Sequence, residues 1–421
     1  MESDRLQIIA INLTRRCNLA CAHCYLDADT LNKPSDQELS TDEVKGLLDQ
    51  IAVDQQQSMV VLTGGEPLVR IDLEAISEHG SQLGLMMVVG SNAALLTERR
   101  VISLKKAGVM GIGISVDSLD AQSHDDFRGK PGSWKKTMAG IEHCRKHALD
   151  FQIHFSITDN NHHEIEDIVS FAQASGARVV NFFFIICTGR AESVSNISTV
   201  NYDASLKKII QCQQLHRDLI IRPRCAPQFK RVAWQLDPDS KLNRISGMDG
   251  DGCIAGRHYC RITPEGDVTA CPYIEQGVGN IRDQTFQAIW QTAPDFLALR
   301  NPELKGKCGR CEFQKLCGGC RARPVAIGKQ LMDEDDSCFY QPQSSQVIEP
   351  IVDFGNHQLT WSKDASQKLS RIPGFIRDMV KKRTESYVVD LGESLITVEH
   401  MQQLSAKRFG NSPPWQRPRH G

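Results

Sequence analysis

The first half of the chain alternates short apolar runs with amphipathic segments, and this alternation constrains the fold more than any other feature. Six runs have the length and composition of buried strands: QIIAINL (7–13), SMVVLT (58–63), GLMMVVG (84–90), GIGISV (111–116), FQIHFSI (151–157) and RVVNFFFII (178–186). Helical patterns separate them, among them 41–55, 96–107, 134–147 and 162–175. Regular strand–helix alternation predicts a parallel sheet. Six units are too few for a closed eight-stranded barrel, so residues 5–200 predict an α/β fold, either a partial (β/α)6 barrel or an open doubly wound sheet.

The rest of the chain divides into regions of different composition. Residues 201–224 have the pattern of a helix followed by a linker. Residues 225–342 are rich in Gly and Cys and contain no long periodic segment, so we expect inorganic cross-links to keep this region folded. Residues 343–356 predict a linker, and residues 357–410 return to helical spacing and predict a small α-helical domain.

The cysteine content indicates metal chemistry. Of fifteen cysteines, three lie within 17–24 and eight lie between Cys253 and Cys338. The N-terminal segment does not resemble a signal peptide and no run of about 18 apolar residues occurs, so we expect a cytoplasmic protein without a membrane span. Thiols stay reduced in that compartment, which favours metal binding or catalysis over disulfides. The net charge of −2 gives no electrostatic reason to expect nucleic acid.

Three cysteines, Cys17, Cys21 and Cys24, follow the first predicted strand in TRRCNLACAHCYLD. This position is the carboxyl end of the sheet, where α/β proteins form ligand sites. Three thiolates suit zinc or an iron–sulfur cluster. A structural zinc site closes with a fourth protein ligand, but His23 lies between two of the cysteines, where we expect it to point away. A 4Fe–4S cluster on three cysteines leaves one iron open, which is a catalytic arrangement.

The spacing C-x3-C-x2-C after the first strand resembles the signature of radical S-adenosylmethionine (SAM) enzymes. In that family the methionine amine and carboxylate of SAM chelate the open iron. An electron from the cluster cleaves SAM, and the resulting 5′-deoxyadenosyl radical abstracts hydrogen from the substrate. The resemblance implies a catalytic 4Fe–4S cluster on Cys17, Cys21 and Cys24, SAM as cofactor, and a low-potential electron donor such as flavodoxin or ferredoxin.

Further motifs of the family follow the later strands in the same order. TGGEP after the second strand resembles the GGEP motif, whose backbone binds the amine of SAM, and its glycines allow a close backbone approach. GSN after the third strand stands where the family often has Ser/Thr-Asn-Gly, with Ala93 in the third position. The resemblance implies that these motifs bind SAM through Gly64, Gly65, Glu66, Pro67, Ser91 and Asn92.

Positions after the fourth and sixth strands also match the family. Ser115 and Asp117, in ISVDSLD, resemble a serine–aspartate contact with the ribose of SAM. Arg128, in HDDFRG, matches an arginine often placed near the SAM carboxylate, and TGRA resembles a family loop. Without the resemblance, Asp117 would be a turn-former and Arg128 part of a surface ion pair.

The eight later cysteines make two sets of four. Zinc sites are one interpretation, because C-x2-C pairs occur among them. The order G-x4-C, C-x2-C-x5-C-x2-C and a late Cys resembles instead the SPASM extension of radical SAM enzymes, which holds two auxiliary 4Fe–4S clusters. The resemblance implies one cluster on Cys253, Cys260, Cys271 and Cys320 and another on Cys308, Cys311, Cys317 and Cys338, and so three clusters in the chain. A ninth thiol, Cys225, could be an alternative ligand, a thiol near the substrate or a buried residue.

Two resemblances favour a tetrapyrrole substrate. Segments 127–146, 151–165 and 179–191 resemble radical SAM proteins of heme d1 and alternative heme synthesis. The C-terminal segment resembles the small domain that ends a subunit of dark-operative protochlorophyllide reductase, where it lies near a chlorin; the matching positions are Trp361, Ile372, Pro373, Phe375, Arg377, Glu385, Ile396 and Thr397. An unrelated helical docking module is the alternative. The resulting hypothesis is hydrogen abstraction that removes or remodels a tetrapyrrole side chain, with propionate decarboxylation or conversion as its first version.

Two other functions stay open at this point. A SPASM maturase of a ribosomal peptide often carries a winged-helix domain before the barrel, whereas the first strand is predicted here from residue 7, and we expect no such domain. A non-enzymatic iron–sulfur electron carrier or zinc scaffold is the third. Iron and sulfide analysis separates these, because three 4Fe–4S clusters would contain about twelve irons per chain.

Overall fold

One ten-stranded sheet organises the first of the two units into which the computed structural model divides, Met1–Ile351 and Val352–Gly421. The structure describes residues 6–30, 35–54, 58–193, 197–245, 252–352, 359–370, 372, 377, 380–381, 384–385, 387–388, 391 and 393–409. Numbered along the chain, the sheet strands are β1 (Ile8–Asn12), β2 (Met59–Thr63), β3 (Met86–Ser91), β4 (Gly111–Ser115), β5 (Asp150–Ile157), β6 (Val179–Phe184), β7 (Ile220–Arg224), β8 (Tyr259–Ile262), β9 (Asp267–Thr269) and β10 (Gly279–Asn280).

The order of strands across the sheet is β10-β9-β8-β1-β2-β3-β4-β5-β6-β7. Strands β8 and β1 to β7 are parallel, while β9 and β10 pair in antiparallel fashion beyond β8. In β1, Ile8 lies opposite Met59 on one side and Tyr259 on the other. The carboxyl ends of eight parallel strands therefore meet at one edge of the sheet, where a ligand site can form.

Helices connect the consecutive parallel strands from β1 to β7. The helices of this unit are α1 (Thr41–Asp54), α2 (Leu73–Gln82), α3 (Glu98–Lys106), α4 (Ala121–Arg128), α5 (Ser133–Lys146), α6 (Ile165–Ser175), α7 (Thr199–Leu215), α8 (Gln228–Leu236), α9 (Phe286–Thr292), α10 (Pro294–Arg300), α11 (Gly306–Gly309) and α12 (Ala322–Ala326). Short 3-10 turns add Pro67–Val69, His162–Glu164, Gly189–Ser193 and Lys241–Asn243, and short strands add Arg16–Cys17, Asp29–Thr30, Arg244–Ile245 and Ile351–Val352.

The alternation of polar and apolar residues in the strands explains why one face of the sheet packs in the core and the other does not. In β5 every second residue, from Phe151 to Ile157, is buried, and the intervening Gln152 and His154 are partly exposed. Successive side chains of a strand point to opposite faces of the sheet. The apolar residues of β5 therefore belong to the main core, and its polar residues lie on the other face.

The six strands predicted from apolar runs are present as β1 to β6, but the predicted linker within 201–224 is partly wrong. After α7 it forms β7, which pairs in parallel with β6. Its sequence IIRPR escaped the apolar pattern because Arg222 and Arg224 occupy alternate positions around Pro223. The predicted cysteine-rich region also contributes β8, β9 and β10 to the same sheet, because its apolar strands are too short to build a separate core.

The second unit has a small core of its own. Its elements are the parallel strand pair Thr360–Trp361 and Leu395–Ile396, with α13 (Lys363–Ser370) and α14 (Val398–Phe409). The core contains Ala365, Leu369, Val388, Ile396 and Met401. The Trp361 indole N–H donates to Glu385 Oε1 at 3.0 Å, which joins two positions of the C-terminal resemblance. Pro373 and Phe375 lie outside the described residues. In the described part of both units, no helix has the length and apolar character needed to span a membrane.

Candidate active site

The three cysteines after β1 lie in a loop whose backbone and neighbours donate hydrogen bonds to sulfur. The Leu19 N–H donates to Cys17 Sγ at 3.4 Å, and the Ala28 N–H donates to Cys24 Sγ at 3.5 Å. Burial raises the pKa of the Cys17 thiol to about 12 and raises the pKa of Cys21 as well. Metal ligation requires thiolates, and burial disfavours this charged form. The positive charge of a bound metal centre has to offset that cost.

Neighbouring loops hold the cysteine loop through close backbone contacts. The Gly65 N–H donates to Thr14 O at 2.8 Å, and a Cβ at Gly65 would lie 2.2 Å from Arg16 O. Gly189 has a φ of +57°, and a Cβ there would lie 2.7 Å from Cys24 O. Only glycine allows both approaches. The TGGEP and TGRA segments therefore form a close backbone support for the thiols.

Glu66 links the loops that follow β2 and β3. It is fully buried and accepts hydrogen bonds from the Ser91 hydroxyl and the Asn92 N–H, each at 2.8 Å. Burial raises the pKa of this carboxyl to about 6, although these donors oppose the rise. The Asn92 side-chain amide then donates to Asn18 Oδ1 at 2.9 Å, so Glu66 positions the loop that carries the cysteines.

Arg128 connects a buried carboxylate to one of the thiols. It is the last residue of α4, forms an ion pair with Asp117 and donates from Nη1 to Cys21 Sγ at 3.6 Å. Asp117 Oδ1 also accepts the Ser156 N–H at 3.0 Å. Burial alone would raise the pKa of Asp117, but Arg128, His23 and His124 lower it below its ordinary value. Arg128 is therefore a buried cation held beside the cysteine loop, not half of a surface ion pair.

His23 is not placed to complete a metal site with the thiols. Its ring stacks on Phe127, with the centroids 4.3 Å apart and the planes 7° apart. Burial lowers the pKa of His23 to about 4, so the ring is neutral. The three cysteines therefore form a set of thiols with a neutral, stacked imidazole beside it.

A cavity of about 670 Å³ extends from the cysteine loop into the interior of the sheet. The predicted site residues on its wall are Cys17, Cys21, Cys24, Gly64, Gly65, Ser91, Asn92, Ser115 and Arg128. Glu66, Pro67 and Asp117 lie behind this wall. Glu66 is fully buried and caps the 3-10 turn that begins at Pro67, and Asp117 is held by Arg128 and Ser156. For Asp117 this placement differs from the predicted ribose contact.

Basic residues that were not predicted from the sequence line another part of the cavity. Strand β7 contributes two arginines, and the segment after it contributes further cations; together they are Arg222, Arg224, Lys230, Lys241 and Arg244, which we call the basic wall. Arg224 Nε donates to Asn181 Oδ1 at 2.9 Å. The arginines alternate in IIRPR, which would place both on one face of a strand. The sequence alone did not identify this segment as a strand.

A neutral histidine faces the same interior. His154 lines the cavity from β5, and burial together with Arg224 and Arg128 lowers its pKa to about 4. A Cβ at Gly113 of β4 would lie 2.4 Å from His154 Cε1, so the glycine provides space for the ring. The alternation of polar and apolar residues in FQIHFSI is the sequence signal for this inward position.

The later cysteines separate into two spatial groups. Four of them surround a second, smaller cavity: Cys308, Cys311, Cys317 and Cys338. Cys253, Cys271 and Cys320 line the main cavity together with Cys225. Cys260 does not join them, although it was predicted as their partner. It lies on β8 directly after Tyr259, which lines the cavity, and adjacent side chains of a strand point to opposite faces.

All of these groups are made of thiols. Within the described ranges, no three His, Cys, Asp or Glu side chains converge at the distances that a single metal ion requires. A multinuclear iron–sulfur cluster instead takes one thiolate on each iron, and three or four surrounding thiols fit that donor pattern.

Comparison with known proteins identifies the family. The Radical SAM superfamily model matches residues 11–172, the Iron-sulfur cluster-binding domain (SPASM) model matches 253–312, and the Proto-chlorophyllide reductase 57 kD subunit model matches 361–404. An AdoMet-dependent heme synthase of Methanosarcina barkeri is 37% identical over 343 residues, which cover 80% of this chain and 97% of that protein. This chain belongs to the radical SAM superfamily.

Other relatives of this radical SAM enzyme agree in sequence and in fold. An AdoMet-dependent heme synthase of Oleidesulfovibrio alaskensis is 35% identical over 355 residues, 82% of this chain and 90% of that protein. The crystal structure of Streptococcus suis SuiB bound to S-adenosylmethionine has a TM-score of 0.65 at 17% identity, covering 80% of this chain and 78% of that one, which shows a shared fold. The predicted α/β radical SAM fold with a SPASM region is thereby confirmed, and the families matched bind 4Fe–4S clusters and SAM.

Proposed function

We propose that this radical SAM enzyme removes or remodels a side chain of a tetrapyrrole in heme or related cofactor synthesis, with propionate decarboxylation or conversion as the reaction. The relatives named as heme synthases support the substrate class. The observation that carries the proposal is the basic wall, which adds five basic residues to the lining of a partly apolar cavity. Cations at a cavity wall bind and orient carboxylates, and propionates provide several on one molecule.

The cysteine loop and its supports have separate tasks in this proposal. Cys17, Cys21 and Cys24 hold a 4Fe–4S cluster, and the SAM contacts on the cavity wall are Gly64, Gly65, Ser91, Asn92, Ser115 and Arg128. When bound, the cluster and SAM supply a 5′-deoxyadenosyl radical that takes a hydrogen atom from the substrate. Arg128 offers a fixed positive charge to the carboxylate of SAM, and Asp117 orients Arg128. Glu66 and Pro67 act from behind the wall by fixing the loop.

The reaction needs an electron acceptor as well as a radical. A propionate that loses a hydrogen atom, then CO2 and one electron, leaves a vinyl group. The cavity that contains the cysteine loop and the basic wall also reaches the thiols of the SPASM region. We propose that this region holds two auxiliary 4Fe–4S clusters, which bring the total to about twelve irons per chain, and that one of them accepts the electron. A low-potential protein such as flavodoxin or ferredoxin would supply the electron that cleaves SAM.

The deciding experiment is anaerobic turnover of the reconstituted enzyme with iron porphyrins that carry propionates, read by mass spectrometry. We expect 5′-deoxyadenosine formation coupled to loss of about 46 mass units per propionate converted to vinyl, the sum of CO2 and two hydrogens. Arg224→Gln should raise KM for the porphyrin about 10-fold or more, because one charge-assisted contact contributes about 1.5–3 kcal/mol. Arg145→Gln, at an exposed ion pair with Glu142, is the matched control and should leave KM unchanged.

Other outcomes would reject the proposal. Uncoupled SAM cleavage across a broad tetrapyrrole panel contradicts a tetrapyrrole substrate. A Cys24→Ala protein should lose SAM cleavage while it keeps its auxiliary irons, and retained cleavage contradicts the assigned cluster site. Stoichiometric zinc without labile sulfide would exclude radical chemistry in this chain altogether.

A further inference from the structure

Cys260 is oriented away from the thiols with which the SPASM pattern groups it. It lies in β8 opposite Ile9 of β1, and its side chain is fully buried in the main core. The preceding residue, Tyr259, lines the main cavity. Consecutive side chains of a strand point to opposite faces, so the pairing of β8 with β1 directs Cys260 away from the cavity. Its position is set by the sheet and cannot change without breaking that pairing.

Cys225, and not Cys260, is the fourth cysteine of this group in the cavity lining. It follows β7 directly and lines the main cavity together with Cys253, Cys271 and Cys320. Cys271 interacts electrostatically with the other three thiols of this group, and Cys320 interacts with Cys253 and Cys225. Tyr273 lines the same cavity. Four thiols therefore surround one region, and each comes from a different segment of the chain.

The backbone holds Cys225 in an unfavourable conformation. Its φ is +59°, a left-handed value that costs about 1–2 kcal/mol for a residue with a Cβ. Arg323 keeps the segment in place, because its guanidinium donates to Cys225 O at 3.1 Å and to Ile185 O at 3.2 Å. Strained residues fixed by their surroundings concentrate at functional positions. The conformation turns a side chain at the end of β7 toward the thiol group.

A close backbone contact at Gly252 also positions Cys253. A Cβ at Gly252 would lie 3.1 Å from Leu316 O and 3.2 Å from Cys317 O. This approach sets Cys253 beside the loop that carries Cys317 and Cys320. The contact connects the segment before β8 to the loop that contains Cys317, a member of the group around the smaller cavity.

We propose that Cys225, Cys253, Cys271 and Cys320 are the ligands of the first auxiliary iron–sulfur cluster, and that Cys260 is a core residue with no metal role. This assignment rests on the part of the proposed function that places auxiliary clusters in the SPASM region. It also makes the cluster adjacent to the substrate region, because Cys225 follows Arg224 of the basic wall by one residue. An electron leaving the substrate would then reach a ligand of this cluster within the same cavity.

The test uses the full-length protein with the N-terminal site removed by the Cys17→Ala/Cys21→Ala/Cys24→Ala substitutions, so that only auxiliary clusters remain. We expect about eight irons per chain in this background. Adding Cys225→Ala should reduce the iron to about four or change the electron paramagnetic resonance spectrum of one reduced cluster. Adding Cys260→Val should leave both the iron content and the spectrum unchanged, because valine fills the same apolar position in a strand.

Second variants guard against poor folding. Cys225→Ser retains a weaker ligand and should preserve the protein while shifting the resonance signal, and Cys260→Ala covers the case in which valine is too large. An unchanged spectrum and iron content in both Cys225 variants would overturn the assignment. So would loss or alteration of a cluster in both Cys260 variants, or a background protein without iron. Because none of these measurements involves a tetrapyrrole, failed turnover with correct iron patterns would reject the substrate proposal alone.

Discussion

The three-cysteine loop and the SPASM region both bury several thiols, but they assemble them differently. Cys17, Cys21 and Cys24 come from one loop, so their separation along the chain already brings them together. The proposed ligands of the first auxiliary cluster come from the end of β7, the segment before β8, the segment after β9 and the loop before α12. A local set of ligands survives changes elsewhere in the fold, whereas a dispersed set depends on the whole sheet.

Both regions place a buried arginine and a buried aspartate beside their thiols, but the arginines act on different atoms. Arg128 donates to a sulfur, Cys21 Sγ, and is ion-paired with Asp117. Arg323 donates to a backbone carbonyl, that of Cys225, and lies 4.0 Å from the Asp335 carboxylate. Arg128 therefore places a positive charge directly beside a thiol of the loop. Arg323 instead connects segments of the SPASM region that are distant in sequence.

The largest expected effect comes from breaking the close backbone support of the loop with Gly65→Ala. The added Cβ would lie 2.2 Å from Arg16 O, a backbone atom that cannot move without shifting the cysteine loop. A displacement of about 1 Å at a reacting site costs about 100-fold in rate, so 5′-deoxyadenosine formation should fall by at least that factor. The auxiliary clusters should remain, so iron and sulfide analysis should find no fewer than about eight irons per chain.

Gly46→Ala in α1 is the matched control. No atom lies within 4 Å of a Cβ built there, and alanine favours a helix over glycine by about 0.5–1 kcal/mol. This variant should keep full SAM cleavage and unfold at a slightly higher denaturant concentration. If Gly65→Ala matched it in activity, the close contact would have no functional meaning.

Asp117→Ala tests the charge arrangement of the loop, and its expected effect is on stability and not on the rate of the reaction. Its removal leaves the Arg128 guanidinium buried without its carboxylate, a change that typically destabilises a protein by about 3–5 kcal/mol. Anaerobic urea unfolding followed by circular dichroism should show the lowered midpoint, with Asp117→Asn intermediate because it preserves shape and loses only charge.

The corresponding change in the SPASM region sharpens the comparison. Asp335 accepts the Cys320 N–H at 2.8 Å and the Gln228 side-chain amide at 2.6 Å, so Asp335→Ala removes cross-links near auxiliary thiols. We expect loss of auxiliary iron with the N-terminal cluster retained. A free energy of unfolding for Asp117→Ala within about 1 kcal/mol of the wild-type value would mean that the Asp117–Arg128 pair behaves like a solvated one.

The contrast between the two regions also explains what the sequence could predict. Strands β1 to β6 were predictable because their apolar runs are long, and the wall residues from Cys17 to Arg128 because their motifs are local and follow strand ends. Strand β7 was missed because its arginines face the interior. The choice between Cys225 and Cys260 was not predictable from spacing, since the pairing of β8 with β1 decides which way Cys260 points.

The smallest expected effect concerns two alanines in left-handed conformations, Ala93 beside the site and Ala148 after α5. Their φ values are +60° and +48°, so glycine would relieve about 1–2 kcal/mol of strain at each, less about 0.4–1 kcal/mol for the freer unfolded chain. Ala148 is exposed, so Ala148→Gly should raise the free energy of unfolding by about 0.5–1 kcal/mol. Ala93 is fully buried, and losing its methyl group costs about another 0.8 kcal/mol, so Ala93→Gly should be nearly neutral. Equal shifts in the urea midpoints would contradict this, and would mean that the Ala93 methyl group contributes no packing.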